Sequence, residues 1–113
     1  MESYMVENKP ESWAKSLNSF VINYFNKNLP DFMLKKETSH GPYWGVVFSD
    51  GNLEIKIGGD IAFNILLKID SEDFPLWQFD RSANNAIDTS NKNIQYQLDI
   101  LNRFLTENSK SRS

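Results

Sequence analysis

The chain has 113 residues, of which 40% are hydrophobic and 24% charged, and its aromatic residues are eight Phe, four Tyr and three Trp. This length suits one domain with one core, and this composition excludes an intrinsically disordered chain. No cysteine is present, which excludes disulfides, thiolate metal sites and cysteine nucleophiles.

The acidic residues are concentrated in the middle of the chain. The net charge is −3, but residues 50–88 contain eight acids and only three bases. Nucleic-acid binding requires a basic surface for the phosphates, so this distribution argues against it and favours a basic partner. The alternative is that the acids only keep the surface soluble.

The compartment is predicted from the absence of targeting signals. Residues 1–11 are polar and acidic, without the basic and apolar regions of a secretory signal. No apolar run approaches the ~20 residues needed to cross a bilayer. We therefore expect a cytosolic protein that does not associate with membranes.

Two segments have the period of amphipathic helices. The first runs from Glu11 to about Asn28 and is followed by Pro30, and the second follows an N-cap at Thr89 or Ser90. The polar residues from Glu107 to Ser113 are predicted to be frayed. The apolar stripes of the two helices contain Trp13, Leu17, Phe20, Tyr24, Ile94, Leu98, Leu101 and Leu105.

Between the helices, apolar residues alternate as in β-strands. Asp50-Gly51 is a hairpin signal after the strand Tyr43–Ser49, and Gly58-Gly59-Asp60 is interpreted as the next turn. A short additional strand could form around Met33. The predicted core face of the sheet is Leu53, Ile55, Ile57, Ile61, Phe63, Ile65 and Leu67.

A fourth strand is predicted from Phe74 to Asp80, after the acidic connection Asp70–Asp73. In such a strand Trp77 and Phe79 would lie on one face. Either they complete the core, or they stay exposed beside the acids as an aromatic anchor with a negative rim. Both interpretations are open from sequence.

These elements predict an α+β fold in one domain over residues 1–113. An antiparallel sheet of three to five strands needs one face covered, and the N-terminal and C-terminal helices would cover it as a two-layer sandwich.

A search for chemical motifs assigns no catalytic, metal or cofactor site. His40 is the only histidine and lies in a turn-forming segment. Gly58-Gly59 lacks the spacing of a phosphate loop, and the acids between Asp70 and Asp73 lack that of a calcium loop. Converging carboxylates elsewhere are left open, because any two of the 15 acids could meet in space.

The order of elements resembles that of small immunity proteins from bacterial contact-dependent inhibition and polymorphic toxin systems. The likeness spans an amphipathic helix, a short meander, the Phe74-Pro75-Leu76-Trp77 segment and the closing helix from Ser90 to Leu105. This likeness does not assign a role to any individual residue. It implies a cytosolic antidote that binds one toxin domain, often a nuclease, and blocks its active site or its access to substrate.

Three functions remain as hypotheses. The first is an immunity protein that binds a basic toxin, with no enzymatic activity and no cofactor. The second is an accessory interaction domain that could form a homodimer, and the third is an enzyme with unrecognised acids. For the first, the predicted partner-binding residues are Asp70, Glu72, Asp73, Trp77 and Asp80.

Overall fold

A computed structural model describes the backbone of residues 11–112 and the side chains of residues 12–107. The N-terminal segment on which the cytosolic prediction depends lies outside the described residues. The elements are α1 (Glu11–Asn28), β1 (Met33–His40), β2 (Tyr43–Ser49), β3 (Glu54–Gly59), β4 (Phe63–Ile69), β5 (Glu72–Pro75), the 3₁₀ helices Leu76–Gln78 and Arg81–Asn85, and α2 (Asn91–Arg112).

The five strands form one antiparallel meander in the order β1-β2-β3-β4-β5. Consecutive strands are joined by short turns, and each strand pairs with the next one along the chain. The predicted α+β class is therefore confirmed. In the part of the chain that the structure describes, neither helix is both long and apolar enough to cross a bilayer.

The core lies between one face of the sheet and the two helices. Phe25 of α1 stacks on Phe48 of β2 with ring centroids 4.0 Å apart, and Tyr24 donates a hydrogen bond from its hydroxyl to Asp99 of α2 at 2.9 Å. Burial, and then the bond to Asp99, raises the pKa of Tyr24 to about 12. The hydroxyl therefore stays protonated, and can donate to Asp99, in more alkaline solution than an ordinary tyrosine would.

Most of the predicted core is confirmed. On the sheet the buried members are Ile55, Ile57, Phe63, Ile65 and Leu67, and on the helices they are Leu17, Tyr24, Ile94, Leu98 and Leu101. Leu53, Trp13, Phe20 and Leu105 are partly buried and pack against this cluster.

The prediction for Ile61 is wrong. Its side chain is 56% exposed, because Gly58 and Gly59 continue β3 and the chain turns later, between Asp60 and Phe63. The backbone N–H of Asp60 donates to the carbonyl of Ala62 at 3.0 Å. Ile61 therefore lies at the tip of the turn, where alternation along β4 does not apply.

The ends of two other elements also differ from expectation. β1 extends over eight residues, where the sequence predicts only a short strand around Met33. It is an edge strand and almost wholly exposed, so its residues show no alternation of apolar and polar side chains that would predict it. At its C-terminus α2 continues to Arg112, past the residue at which fraying is predicted, whereas its predicted N-cap is confirmed at Ser90, whose hydroxyl accepts the N–H of Asn93 at 3.1 Å.

A buried asparagine ties α1 to the two strands beneath it. Asn18 is 0% exposed. Its carboxamide oxygen accepts the N–H of Gly45 at 2.9 Å, and its nitrogen donates to the carbonyl of Thr38 at 2.8 Å. One side chain thus satisfies backbone groups of both β1 and β2.

The close approach of β2 and β3 makes Gly58 intolerant of a side chain. A Cβ atom at Gly58 would collide with the Trp44 carbonyl oxygen and lie 2.7 Å from the Gly45 Cα, whereas a Cβ at Gly45 meets nothing closer than 3.5 Å. We expect Gly58→Ala to lower the free energy of unfolding by about 1–3 kcal/mol. Gly45→Ala is the matched control, with an expected loss below about 1 kcal/mol in the same urea titration. Equal losses from the two variants would contradict this account.

Candidate functional site

Meander topology brings distant parts of the sequence to one end of the sheet. Alternate hairpin turns of a meander lie at the same end, so the β2–β3 turn at Asp50 and the β4–β5 turn at Asp70 are neighbours. The loop that leaves α1 at Leu29 enters β1 there, and α2 passes this end at Phe104.

Between these segments lies a pocket of about 540 Å³, here called the first hollow. Its walls are apolar and polar in about equal measure, and three carboxylates, Asp31, Asp50 and Asp70, belong to its lining with a single base, Lys68. The apolar lining residues are Leu29, Pro30, Phe32, Leu53, Leu67, Ile69, Phe104 and Leu105.

A second hollow adjoins the first and is lined by Ile69, Phe74, Gln78 and Phe79. Ile69 lines both hollows. The Phe79 ring lies 4.9 Å from that of Phe104 between centroids, and 6.3 Å from that of Phe74. The two hollows therefore lie on either side of Ile69, and together we call them the acidic groove.

Two large apolar side chains of the acidic groove are exposed to solvent. Phe79 is 41% and Ile69 37% exposed. Adjoining exposed apolar residues with a charged margin are typical of protein interaction sites, whereas single exposed apolar residues are ordinary.

The turn that carries Asp70 has an unusual backbone. Asp70 and Ser71 have φ angles of 53° and 72°, the left-handed region that both central residues of a type I′ hairpin turn occupy. Asn-Gly is the preferred pair there, because glycine has no Cβ to strain. This chain instead has Asp70-Ser71 in the turn, and Asp70 lines the first hollow.

The backbone adds to the negative potential of the first hollow. α1 ends at Asn28, a residue of the pocket lining, and the unpaired carbonyls at a helix C-terminus carry partial negative charge. Asp50 is held in place, because its carboxylate accepts the N–H groups of Asn52 and Leu53 at 2.9 and 2.8 Å. Lys27 in the last turn of α1 offsets part of the helix-end charge, and the three carboxylates of the lining outnumber its one base, Lys68.

Of the predicted acids, only Asp70 lines the acidic groove, and Glu72 flanks it without lining either hollow. Asp70 lines the first hollow, and Glu72 lies opposite Ile69 in the β4–β5 pairing. Because Ile69 separates the two hollows, both acids are beside the exposed apolar surface.

Asp73 and Asp80 do not lie at the acidic groove, and Asp73 is near the β4–β5 turn but on the other face of the sheet. Asp73 accepts a hydrogen bond from Lys56 at 3.2 Å. Lys56 alternates with buried Ile55 and Ile57, so this pair is on the sheet face away from the helices. The reason is strand alternation, which turns Asp73 to the face opposite Glu72.

Asp80 is engaged with the helical layer. Its carboxylate caps the second 3₁₀ helix by accepting the N–H of Ser82, and Arg103 of α2 donates to it at 2.8 Å. The hydrogen bond from the Ser82 hydroxyl, followed by that from Arg103, lowers the pKa of Asp80. This acid therefore stays ionised beside a cation of its own chain.

The predicted strand from Phe74 to Asp80 is wrong beyond Pro75. β5 ends there and a 3₁₀ helix follows, because proline lacks the N–H that would continue the ladder. Leu76 is buried instead, while Trp77 is 43% exposed. The exposed interpretation of Trp77 and Phe79 is thus the one observed, but Phe79 lines the groove and Trp77 lines neither hollow.

The carboxylates of the groove are separate rather than clustered. Among the described residues, no three acidic or histidine side chains are close enough to share one metal ion.

The sequence interpretation missed Asp31, Asp50 and Phe104 as site residues. Asp50 was assigned only a turn role, and Asp31 follows a helix with no motif around it. The signal that could have found them is topological, since a predicted meander already implies that its alternate turns converge.

Comparison with protein-family models, curated proteins and solved structures finds no significant match.

Proposed function

We propose that the chain is an immunity protein that binds a basic toxin domain, most simply a nuclease, and neutralises it without covalent chemistry. The observation that carries the proposal is the acidic groove, an exposed apolar surface with carboxylates on its margin. Buried aromatic and aliphatic anchors supply most of the affinity of an interface, and the charges select the partner and steer its approach.

The charge of the groove matches the needs of such a partner. A nuclease holds phosphates with lysine and arginine, so its substrate cleft is positive. An acidic surface complementary to that cleft is drawn to it at long range and, once docked, excludes the nucleic acid. Occupation of the substrate cleft by the immunity protein is then sufficient for inhibition.

The direct test is protection of cells. Each toxin domain encoded next to the gene for this chain is expressed from a tightly controlled promoter, with and without the chain, and surviving colonies are counted. We expect one toxin to be neutralised by the wild type and not by Phe79→Ala, because that change removes an exposed groove ring. Trp77→Ala, an exposed aromatic outside the groove, is the matched control and should still protect.

Two outcomes would contradict the proposal. Failure to neutralise any neighbouring toxin removes the immunity role. If groove variants instead convert a dimer of the chain to a monomer in sedimentation, the groove joins two copies and the accessory-domain hypothesis replaces it.

Charge reversal at the groove should slow association with the toxin so identified. We expect Asp31→Lys, Asp70→Lys and Glu72→Lys together to reduce the association rate by more than about tenfold at low salt, because steering depends on the field at the docking surface. The difference should shrink as ionic strength rises. Stopped-flow mixing measures both.

The control is a triple variant with the same net charge, Glu54→Lys, Asp73→Lys and Asp88→Lys. None of these residues lines the acidic groove. A smaller effect is expected from them, and equal slowing by the two triple variants would show that only net charge matters.

A further inference from the structure

We propose that the first hollow of the acidic groove is a socket for one arginine side chain of the partner protein. This inference rests on the proposed function, and it names the chemical group that the groove recognises. The first hollow joins an apolar interior to a charged margin, and a long cationic side chain has the same division between its methylene stem and its head.

The interior suits the stem. Leu29, Leu53 and Leu105 are partly buried residues that pack on the core cluster and line the first hollow. A volume of about 540 Å³ is within the range of ligand-binding pockets. It accommodates a long side chain together with the backbone that carries it.

The margin suits a cationic head. Asp31, Asp50 and Asp70 provide three negative charges, and the C-terminal end of α1 adds partial negative charge. The one base of the lining, Lys68, lies between Glu54 and Asp73 as its cross-strand neighbours. The three carboxylates of the lining outnumber this one base, so the net charge of the lining is negative.

The aromatic residues of the first hollow favour arginine over lysine. Phe32 and Phe104 both line it, and a guanidinium group stacks on aromatic rings and is less strongly hydrated than an ammonium group. It also forms two parallel hydrogen bonds with a carboxylate. Arginine therefore loses less hydration on entering this site and gains more contacts there.

The second hollow extends the recognised motif. Ile69 separates it from the first hollow by the width of one side chain, and its lining of Phe74 and Phe79 is apolar. An apolar residue near the arginine on the partner surface would lie there.

The socket can be tested without the toxin. The probe is N-acetyl-arginine methylamide, titrated into the ¹⁵N-labelled chain and followed by NMR, with the lysine analogue and the neutral isostere citrulline alongside. We expect saturable shifts at Leu29, Leu53 and Ile69 for arginine, with a Kd on the order of 1 mM for so small a ligand. Lysine should bind at least about threefold more weakly, and citrulline should give no saturation.

Variants then locate the charge. Asp70→Asn should weaken arginine binding several-fold, while Asp73→Asn, on the opposite face of the sheet, should leave it unchanged. Equal binding of citrulline, or shifts that do not map to the first hollow, would overturn the socket. Amide dispersion in the same spectra shows whether each variant is folded.

A double-mutant cycle with the toxin separates this inference from the proposed function. If the toxin is neutralised but none of its arginines couples to Asp31 or Asp70, the socket is wrong and the immunity role stands. If the probe binds as expected but no toxin is neutralised, the immunity role is wrong and the socket stands.

Discussion

Replacing Phe63 with alanine is expected to lower the free energy of unfolding by about 3–5 kcal/mol. Phe63 is 2% exposed, and its ring lies 5.8 Å from that of Trp44 between centroids. Truncation removes buried apolar surface and leaves a cavity between β4 and the helices, which the packed neighbours cannot fully close. Equilibrium unfolding in urea measures the loss.

Ile61→Ala is the matched control for this prediction. Sequence alternation gives Ile61 and Phe63 the same role, but Ile61 is at the exposed turn. We expect Ile61→Ala to cost less than about 1 kcal/mol, as is usual for surface positions. Similar losses from the two variants, at similar urea dependence, would contradict the register of β4 described above.

Replacing Asn18 with leucine should cost about 2–4 kcal/mol, although leucine fills a similar volume and is more apolar. The change leaves the Gly45 N–H and the Thr38 carbonyl without the bonds that Asn18 provides at 2.9 and 2.8 Å. A buried backbone group that loses its partner costs about 1–3 kcal/mol. Urea unfolding again gives the measurement, and a thermal scan gives a second one.

Asn26→Leu provides the comparison on the same helix. Asn26 is exposed, so its replacement should change stability by no more than about 0.5 kcal/mol. If Asn18→Leu were neutral or stabilising, water or a shifted strand would have to satisfy the two backbone groups, and the role given to Asn18 would be wrong.

Stability and the candidate site depend on different residues. Asn18 lies on the opposite half of α1 from Asn28, the end of that helix that reaches the first hollow. The exposed groove residues Asp31, Asp70 and Phe79 are absent from the core cluster. Asp31 and Asp70 are exposed, so their variants can be compared in binding at nearly unchanged fold stability, whereas Phe79→Ala needs its own unfolding measurement because its ring packs on Phe104.

The sequence alone determined the class of the fold and much of its core. Residues such as Leu17, Leu98, Ile55 and Ile65 repeat at helical or strand spacing, because each element buries one face and that burial imposes a period on the chain. Asp50-Gly51 likewise predicts its hairpin locally. Information of this kind is held within a few neighbouring residues.

Only the tertiary structure decided where elements without an apolar period lie and which loops meet. β1 is held in the sheet by its pairing with β2, and the backbone after Pro75 leaves the sheet. Asp73 forms an ion pair with a strand residue, whereas Asp80 forms one with α2. Asp31, Asp50 and Asp70 come from three connections that share no local pattern. Their convergence with Phe104 follows from strand order and helix placement, which are long-range properties that no local period records.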